Sequence, residues 1–508
     1  MDELGISPES FQELLEKITP LMLQCIRDID DGPTCFIRSL EDSADSVDLA
    51  KQLAAKVKEE SVPETGEDVA DILHVLCDVA ARGGKNNASA GFCAYVPTGG
   101  LLQSAVIDLV SAILNRATPR FLSSPGMTQI DSNVIAWMAS VVGYDPAKSF
   151  GSFTSGGSMA NFVGILAARR KYLPEEQISQ GAVMATSQTH SCIGKGLIMA
   201  GIPRSSLCLV ECDEKLRMCP AALEKCIVAQ RTSGRKPFLV LASAGTTNTG
   251  AVDDLRAVSA ICRRHDVWLH VDGVYGAAFN LTQFGREQLN GLEEADSIAI
   301  DLHKSFFLPQ ATGLLMVKDR FYLKNAFTHD VQAPFLPELA AEEDNFLDLS
   351  PDLTRPLYGL RLWFPLKLCG IRKWRAALCE RLDWTAEFAD GLRKMSGIGV
   401  ELTTEPSLTI LTFRYAPPAG QSQTAGSSSV VQPAPPPSTE CLAYLRTVNE
   451  KLLVFINCRD TIYLSGTTLP DGRYVIRVCV LNIRLTHGRL MKGLADISDG
   501  VKHIAAQV

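Results

Sequence analysis

The sequence predicts an α/β fold in which a mostly parallel sheet is covered by helices on both faces. Short apolar runs of strand length alternate with amphipathic stretches through the middle of the 508-residue chain. Parallel strands joined by helical crossovers produce this pattern. The predicted strands are 183–186, 207–210, 238–242, 267–271, 298–300 and 314–317. Polar residues follow directly after two of these runs, and open α/β sheets place their functional sites there.

Helical patterns precede this central region. Apolar residues recur at helical spacing from 8 to 81, with a break at the Asp-Gly-Pro of 31–33. Further helices are predicted over 101–115 and 131–142. The first region is too small to bury its own apolar stripe, so we expect it to pack on the main body or on a second subunit.

The carboxyl-terminal part predicts a smaller α+β domain. Its predicted helices cover 360–368 and 374–395, and its predicted strands cover 408–415 and 474–481. The regular pattern lapses over 329–344, which predicts a mobile loop. A low-complexity insert at 416–439 cannot build a core and is expected to be disordered. We therefore divide the chain into a helical arm (1–85), a large α/β domain (86–345) and a small domain that carries the insert (346–508).

Composition and charge exclude several classes of protein. The formal net charge of -8 and the pI near 5.6 leave no basic face for nucleic acid or anionic lipid. No apolar run approaches the ~18 residues that a membrane span needs, and the chain opens without an apolar signal segment. The fifteen cysteines are scattered with no C-x-x-C pair. We interpret them as free thiols in the cytoplasm and assign no residue to a metal.

Two polar residues at strand ends carry the first functional hypothesis. Asp272 directly follows the apolar run Trp-Leu-His-Val, where an unpaired carboxylate is costly to bury. A pyridinium nitrogen is a fitting partner, because the carboxylate keeps that ring protonated and able to accept electrons. Lys304 ends the sequence Asp-Leu-His-Lys after 298–300. We interpret it as an amine that forms a Schiff base with an aldehyde cofactor, activated by burial and cationic neighbours; the alternative is an exposed surface lysine.

Three further stretches are ambiguous when each is taken alone. The Ser/Gly turn within 153–161 opens a helix and suits a phosphate, but a plain serine N-cap is the simpler explanation. His190 follows the strand 183–186, where a histidine is more often a structural hydrogen bonder than a catalytic group. Thr246, in Ala-Gly-Thr-Thr-Asn-Thr-Gly, is by itself an ordinary polar turn at a strand end.

Taken together and in this order, three motifs resemble those of the group II pyridoxal-phosphate (PLP) decarboxylases. They are Thr-Ser-Gly-Gly-Ser-x-Ala-Asn, His-Val-Asp and Asp-x-His-Lys, and the resemblance runs over about 92–482. That family includes the aromatic amino acid, glutamate, histidine and cysteine sulfinate decarboxylases. The resemblance implies the PLP-dependent transferase fold (aspartate aminotransferase-like, type I) and a homodimer. It also implies decarboxylation of an L-amino acid to the corresponding amine and CO2.

The resemblance implies roles for individual residues. Lys304 is the Schiff-base lysine, Asp272 is the partner of the ring nitrogen, and His190 is the imidazole stacked over the ring. The other residues implied in cofactor binding are Gly157, Ser158, Thr246 and His303. The residues implied at the substrate are Tyr95, Pro97, Thr98, Phe335 and Arg477, the last of them near the substrate carboxylate.

One departure from the family pattern leaves the product open. Many relatives have a loop tyrosine that helps to return a proton to the carbon that has lost CO2. This sequence has Phe335 at that place, and a phenyl ring cannot donate a proton. In parts of the family such a phenylalanine accompanies oxidation to an aldehyde, so an aldehyde synthase is the alternative. A PLP-binding homologue without turnover is a third. The decarboxylase is favoured because His190, His329 or water can supply the proton.

Overall fold

The computed structural model describes residues 5–35, 44–59, 61–116, 118, 120–327, 345–417 and 438–507. Within these residues the chain forms two β-sheets, each packed on its own apolar core. The predicted mobile loop and Phe335 within it lie outside the described residues, as does most of the predicted insert.

An amino-terminal arm precedes the sheets. It consists of α1 (Pro8–Asp31), α2 (Ala44–Lys56) and α3 (Val69–His74), followed by a π-helical turn at Val75–Ala80. α1 ends at the predicted Asp-Gly-Pro break, and an ion pair of 2.6 Å between Arg484 and Asp30 attaches its last turn to the body of the chain. No residue of α1 is buried in the single chain, so its apolar stripe is available to pack on another surface.

The central feature is a seven-stranded mixed sheet. Its strands are β1 (Phe150–Thr154), β2 (Gly181–Thr186), β3 (Leu207–Val210), β4 (Lys236–Ser243), β5 (Trp268–Asp272), β6 (Ser297–Asp301) and β7 (Gly313–Val317). Their order is β1-β7-β6-β5-β4-β2-β3, and the strands from β6 to β3 pair in parallel. β7 is antiparallel to both of its neighbours. The predicted mostly parallel sheet is confirmed, and β1 is a strand that the apolar pattern does not reveal.

Helices cover this sheet and explain its continuous apolar strands. The helices in this part of the chain are α4 (Leu102–Leu114), α5 (Pro125–Val142), α6 (Gly157–Tyr172), α7 (Cys192–Met199), α8 (Pro220–Thr232), α9 (Leu255–Arg264), α10 (Gln283–Gln288) and α11 (Phe321–Phe327). Every residue of β5 and of β6 is buried, as expected for parallel strands with both faces covered. No helix in the described part of the chain is long and apolar enough to cross a lipid bilayer.

The carboxyl-terminal part is the predicted smaller α+β unit. It contains α12 (Leu360–Cys369), α13 (Ile371–Lys394), β8 (Val400–Ser407), β9 (Ile410–Tyr415), α14 (Thr439–Cys458), β10 (Ser465–Thr468), β11 (Tyr474–Cys479) and α15 (His487–Ala505). The four strands form an antiparallel sheet in the order β10-β11-β9-β8. Residues of α13, α14 and α15 share its apolar core.

Tyr275 joins the two sheets. Its hydroxyl accepts a hydrogen bond from the Thr409 backbone N–H at 2.8 Å and lies 2.8 Å from Thr409 Oγ1. Tyr275 follows β5 and Thr409 immediately precedes β9. This buried contact therefore fixes the small sheet against the carboxyl ends of the large one.

Candidate active site

A cavity of about 320 Å³ lies at the carboxyl ends of β5 and β6. The turn before α6, the turn before α7 and the turns after β5 and β6 contribute its walls. Its lining includes Gly157, Ser158, His190, Asp301, His303 and Lys304. Five of these six residues were predicted from the sequence, so the structure brings most of the predicted cofactor site together.

The Ser/Gly turn places the amino-terminal end of α6 in the cavity wall. Gly156 precedes the helix with φ 152°, and no described side chain caps the first turn. A Cβ atom at position 157 would lie 2.5 Å from Val274 Cγ1 and 2.8 Å from Asp301 Oδ2, so only glycine fits there. The turn is therefore not a serine N-cap. It presents the positive end of a helix, which suits an anion such as a phosphate.

The Lys304 amine is paired with a carboxylate. Its Nζ lies 3.2 Å from Asp301 Oδ2, while His303 Nδ1 lies 3.6 Å from Asp301 Oδ1. The partner found for the amine is a carboxylate, and the expected activation of the lysine by cationic neighbours stays a prediction. The Lys304 side chain is 21% exposed, so the amine can be reached from the cavity.

Asp272 lies at the end of β5 and is buried. Burial raises the pKa of its carboxyl group, and the Lys304 ammonium and the Val274 N–H partly oppose that rise. The Val274 N–H donates to Oδ1 at 3.3 Å, and the Asn161 side-chain amide donates to Oδ2 at 3.4 Å. Both hydrogen bonds are long. A cationic ring nitrogen is therefore a favourable additional partner for this carboxylate.

Asn161 is held in turn by His270. His270 Nε2 lies 2.8 Å from Asn161 Oδ1, and Nδ1 lies 2.7 Å from Ser297 Oγ. Burial lowers the pKa of His270 to about 3, so the imidazole is neutral. Neither Asn161 nor His270 was assigned a role from the sequence, although both lie within the quoted motifs. Asn161 is one helical turn after Gly157, and that spacing is the signal that could have found it.

His190 is oriented by the start of α7. Its Nδ1 accepts a hydrogen bond from the Cys192 backbone N–H at 3.2 Å. The proton of the neutral imidazole is then on Nε2. His190 itself lines the cavity.

A second cluster of predicted residues lies where the small sheet meets the large one. Arg477 on β11 donates to the backbone oxygens of Thr247 and Tyr95. Its side chain is buried, and Nη2 has no hydrogen-bond partner among the described residues. Burial raises the pKa of the neighbouring Cys479 thiol to about 11, and both the Arg477 and the Lys304 cations oppose that rise. The charge of Lys304 therefore acts on this cluster as well.

The remaining predicted residues surround these two groups. Tyr95 is half exposed with φ 53°, and its hydroxyl accepts a hydrogen bond from Lys85 at 2.8 Å. Pro97 and Thr98 are buried beside it. Thr246 is buried just after β4 and lies 3.1 Å from Thr249 through their hydroxyl oxygens. It does not line the cavity itself.

These residues fit pyridoxal phosphate. The start of α6 suits its phosphate, the Lys304 amine suits its aldehyde, and the buried Asp272 suits its ring nitrogen. The mixed sheet in this strand order, with the lysine just past β6, completes the agreement. Fold and site together define a PLP enzyme of the aspartate aminotransferase-like class.

Comparison with known proteins identifies the family. Residues 51–416 match the pyridoxal-dependent decarboxylase conserved domain. An aromatic-L-amino-acid decarboxylase of Bacillus atrophaeus is 30% identical over 503 residues, which cover 98% of this chain and 96% of that relative. The crystal structure of Oryza sativa TDC with PLP and tryptamine has a TM-score of 0.86 at 20% identity, over 98% of this chain and 99% of that one. Rhodiola rosea 4-hydroxyphenylacetaldehyde synthase has a TM-score of 0.83 at 19% identity, over 98% and 99%.

The chain belongs to the pyridoxal-dependent decarboxylase family. It is a carboxy-lyase that uses PLP to convert an amino acid to the amine and CO2, which confirms the predicted fold, cofactor and reaction. The Rhodiola rosea aldehyde synthase is only 19% identical to this chain, and an identity that low shows a common fold but not a common reaction. That alternative is therefore not favoured.

The buried His270 gives a prediction about acid stability. Its pKa is about 3 in the fold and about 6.5 in the unfolded chain, so only the unfolded chain takes up this proton as the pH falls between these values. The contribution of the neutral His270 to the free energy of unfolding is fully present above pH ~6.5 and is lost as the pH falls toward ~3. His270→Gln, which cannot titrate, should remove about 1.4 kcal/mol of the stability loss between neutral pH and about pH 5.5.

The measurement is urea unfolding of the apoprotein at several pH values. The difference between wild type and variant isolates His270, because buried carboxyl groups with raised pKa, such as Asp272, titrate in both proteins. Parallel pH profiles for the two proteins would show that His270 is not kept neutral by the fold.

Proposed function

We propose that Lys304 and Asp272 are catalytic residues of this decarboxylase and that His190 covers the cofactor ring. The observation that carries the proposal is the geometry of β5 and β6. These adjacent parallel strands end in a buried carboxylate and in the turn that carries an amine at the cavity. The phosphate is held by Gly157, Ser158 and His303, and Thr246 lies beside the cofactor.

Each of these side chains has a defined task. Bound PLP supplies the sink for the electron pair that remains when CO2 departs. Asp272 keeps the proton on the ring nitrogen. His190 would cover one side of the cavity, and its imidazole would pass a proton from solvent to the carbon that loses the carboxylate. The residues that position the substrate would decide which of its bonds breaks.

Arg477 is the proposed contact near the substrate carboxylate. A buried guanidinium group with an unmatched N–H is costly, and a carboxylate is the partner that its geometry suits. Tyr95, whose backbone oxygen Arg477 already holds, lines the substrate pocket with Pro97 and Thr98. The substrate therefore binds between the two sheets in this proposal.

The substrate class that we propose is an L-amino acid with an aromatic side chain. The support is the Bacillus atrophaeus aromatic-L-amino-acid decarboxylase, which matches this chain almost from end to end. Activity against a diamino or acidic substrate with none against aromatic ones would contradict this assignment.

We predict that the purified protein with PLP releases amine and CO2 from aromatic L-amino acids without forming peroxide. A screen of the twenty amino acids for CO2, amine, aldehyde and peroxide measures this. Lys304→Ala should abolish the absorbance band of lysine-bound PLP and lower CO2 release by several orders of magnitude, because the amine is the attachment point. Aldehyde together with peroxide would identify a synthase, and no product from any amino acid would identify a homologue without turnover.

A second prediction concerns Arg477. Arg477→Met should raise KM for the amino acid by roughly tenfold or more, because a charge-assisted hydrogen bond to the substrate is lost. Arg477→Lys keeps the charge but not the planar fork and should fall between wild type and Arg477→Met. Steady-state kinetics measure both. An unchanged KM in Arg477→Met would remove this residue from the substrate site.

We also propose a cytoplasmic homodimer with the three-part division 1–85, 86–345 and 346–508. α4 presents an apolar row to solvent, and no residue of α1 is buried. The row consists of Val106, Leu109, Val110, Ile113 and Leu114, which are 40% to 60% exposed. Apolar faces of this kind mark protein interfaces. The fifteen cysteines are all free thiols, which suits a reducing compartment.

The dimer is tested by charge placed on α4. The double variant Val106→Glu with Ile113→Glu should elute as a monomer, because two carboxylates would be buried in the interface. Size-exclusion chromatography with light scattering measures the mass. Val228→Glu on α8 is the control, since Val228 is 50% exposed and lies outside the apolar row. A monomeric wild type with full activity would contradict the proposal.

A further inference from the structure

A line of buried polar side chains leads through the large sheet to Asp272. Trp268, His270 and Asp272 alternate along β5 and therefore share one face of the sheet. Ser297 is the β6 residue paired with His270, and Asn161 lies on α6 above them. Trp268 Nε1 donates to Ser297 Oγ at 2.8 Å. The series of hydrogen bonds continues from Ser297 through His270 to Asn161, and from Asn161 to Asp272 Oδ2 at 3.4 Å.

The donors and acceptors in this chain of hydrogen bonds allow only one donor-to-acceptor direction. Asn161 Oδ1 can only accept, so His270 Nε2 carries the proton and donates to it. His270 Nδ1 is then an acceptor, and the hydroxyl of Ser297 donates to it. The Trp268 N–H can only donate, so it supplies Ser297. Every hydrogen bond therefore points toward the Asp272 carboxylate.

The amide of Asn161 is fully used in this arrangement. Its oxygen accepts from His270, one N–H donates to Asp272, and the other lies 3.5 Å from the Cys192 sulfur. An amide turned by half a rotation would place its oxygen against the carboxylate and its N–H against the His270 N–H. Both contacts would be repulsive, so the Asp272 carboxylate and the Nε2–H of His270 together determine which end of the amide meets Asp272.

Helix α6 is shaped to receive His270. A Cβ atom at Gly164 would lie 2.5 Å from His270 Cε1 and 2.6 Å from Nδ1. Glycine is unfavourable inside a helix, yet here it lets the imidazole lie against the helix backbone. Gly157, Asn161 and Gly164 are spaced by four and three positions along α6 and therefore lie on one side of the helix.

We propose that His270 and Asn161 are positioning residues that hold the Asp272 carboxylate as a pure acceptor for the ring nitrogen of PLP. The proposal rests on the role proposed for Asp272. His270 acts through Asn161 and does not touch the cofactor. The chain fixes the N–H end of the amide against one oxygen of Asp272, so the carboxylate is oriented before the cofactor binds.

The test compares two substitutions of His270 that reach different distances. The amide nitrogen of glutamine can take the place of Nε2 and donate to Asn161, whereas asparagine reaches only the position of Nδ1, beside Ser297. His270→Asn should weaken PLP binding to the apoprotein by roughly tenfold and lower kcat with little change in KM, because the donor to Asn161 is lost. His270→Gln should remain within about threefold of wild type, because that donor is retained.

The readouts are the PLP dissociation constant by absorbance titration, the spectrum of the loaded protein, and kcat and KM. Trp268→Phe is the control. It removes the first donor of the chain but leaves the Ser297-to-His270 hydrogen bond, so PLP affinity should stay near wild type. Thermal unfolding of each apoprotein separates an effect on folding from an effect on the cofactor.

Three outcomes would overturn the proposal. They are equal PLP affinities for His270→Asn and His270→Gln, a loss of thermal stability without a loss of PLP affinity, and a Trp268→Phe effect as large as that of His270→Asn. The double variant His270→Asn with Asp272→Asn should bind PLP no more weakly than Asp272→Asn alone, because His270 acts through that carboxylate. If Asp272→Asn alone leaves PLP binding and kcat unchanged, it is the role proposed for Asp272 that fails.

Discussion

The pairing of β5 with β6 is the constraint on which the site depends. The register sets His270 opposite Ser297 and Asp272 opposite Ala299. A slip of one residue would turn each of these side chains to the other face of the sheet. The same register fixes where β6 ends, and so where the turn with Lys304 begins. The proposed point of cofactor attachment, the proposed partner of the ring nitrogen and the buried hydrogen-bond chain all depend on one pair of strands.

Helix α6 completes the site, because one side of the helix packs on the face of β5 that carries Asp272. Its start suits an anion, and a Cβ at Gly157 would collide with Val274 and Asp301 at the strand ends. One turn later Asn161 reaches Asp272 and His270. The helix therefore does more than cover the sheet, because its spacing matches the spacing of alternate residues along β5.

The parts of the fold that were predicted from the sequence are those in which the apolar residues form a clear pattern. β5 and β6 are buried along their whole length, so their apolar runs stand out, and the residues that end them were correctly placed together. β8 is only partly buried along most of its length, so its sequence lacks the continuous apolar run that marks β5 and β6. His270 escaped notice because a single polar residue inside an apolar run gives no sign of a partner. That partner comes from α6, which is distant in the sequence.

The surroundings of Lys304 show the same limit of sequence reasoning and explain the charge balance of the site. Asp301, three residues before the lysine, was passed over, yet it forms the ion pair with the amine at 3.2 Å. The Lys304 ammonium also opposes the effect of burial on Asp272, so one cation serves two buried carboxylates. In the proposed arrangement, a protonated ring nitrogen would give Asp272 a cationic partner of its own and would leave the lysine nitrogen to Asp301. The phosphate would lie at the start of α6, where the positive end of the helix compensates its charge. Under these proposed roles, cofactor binding would therefore relieve the sharing of one cation by two buried carboxylates.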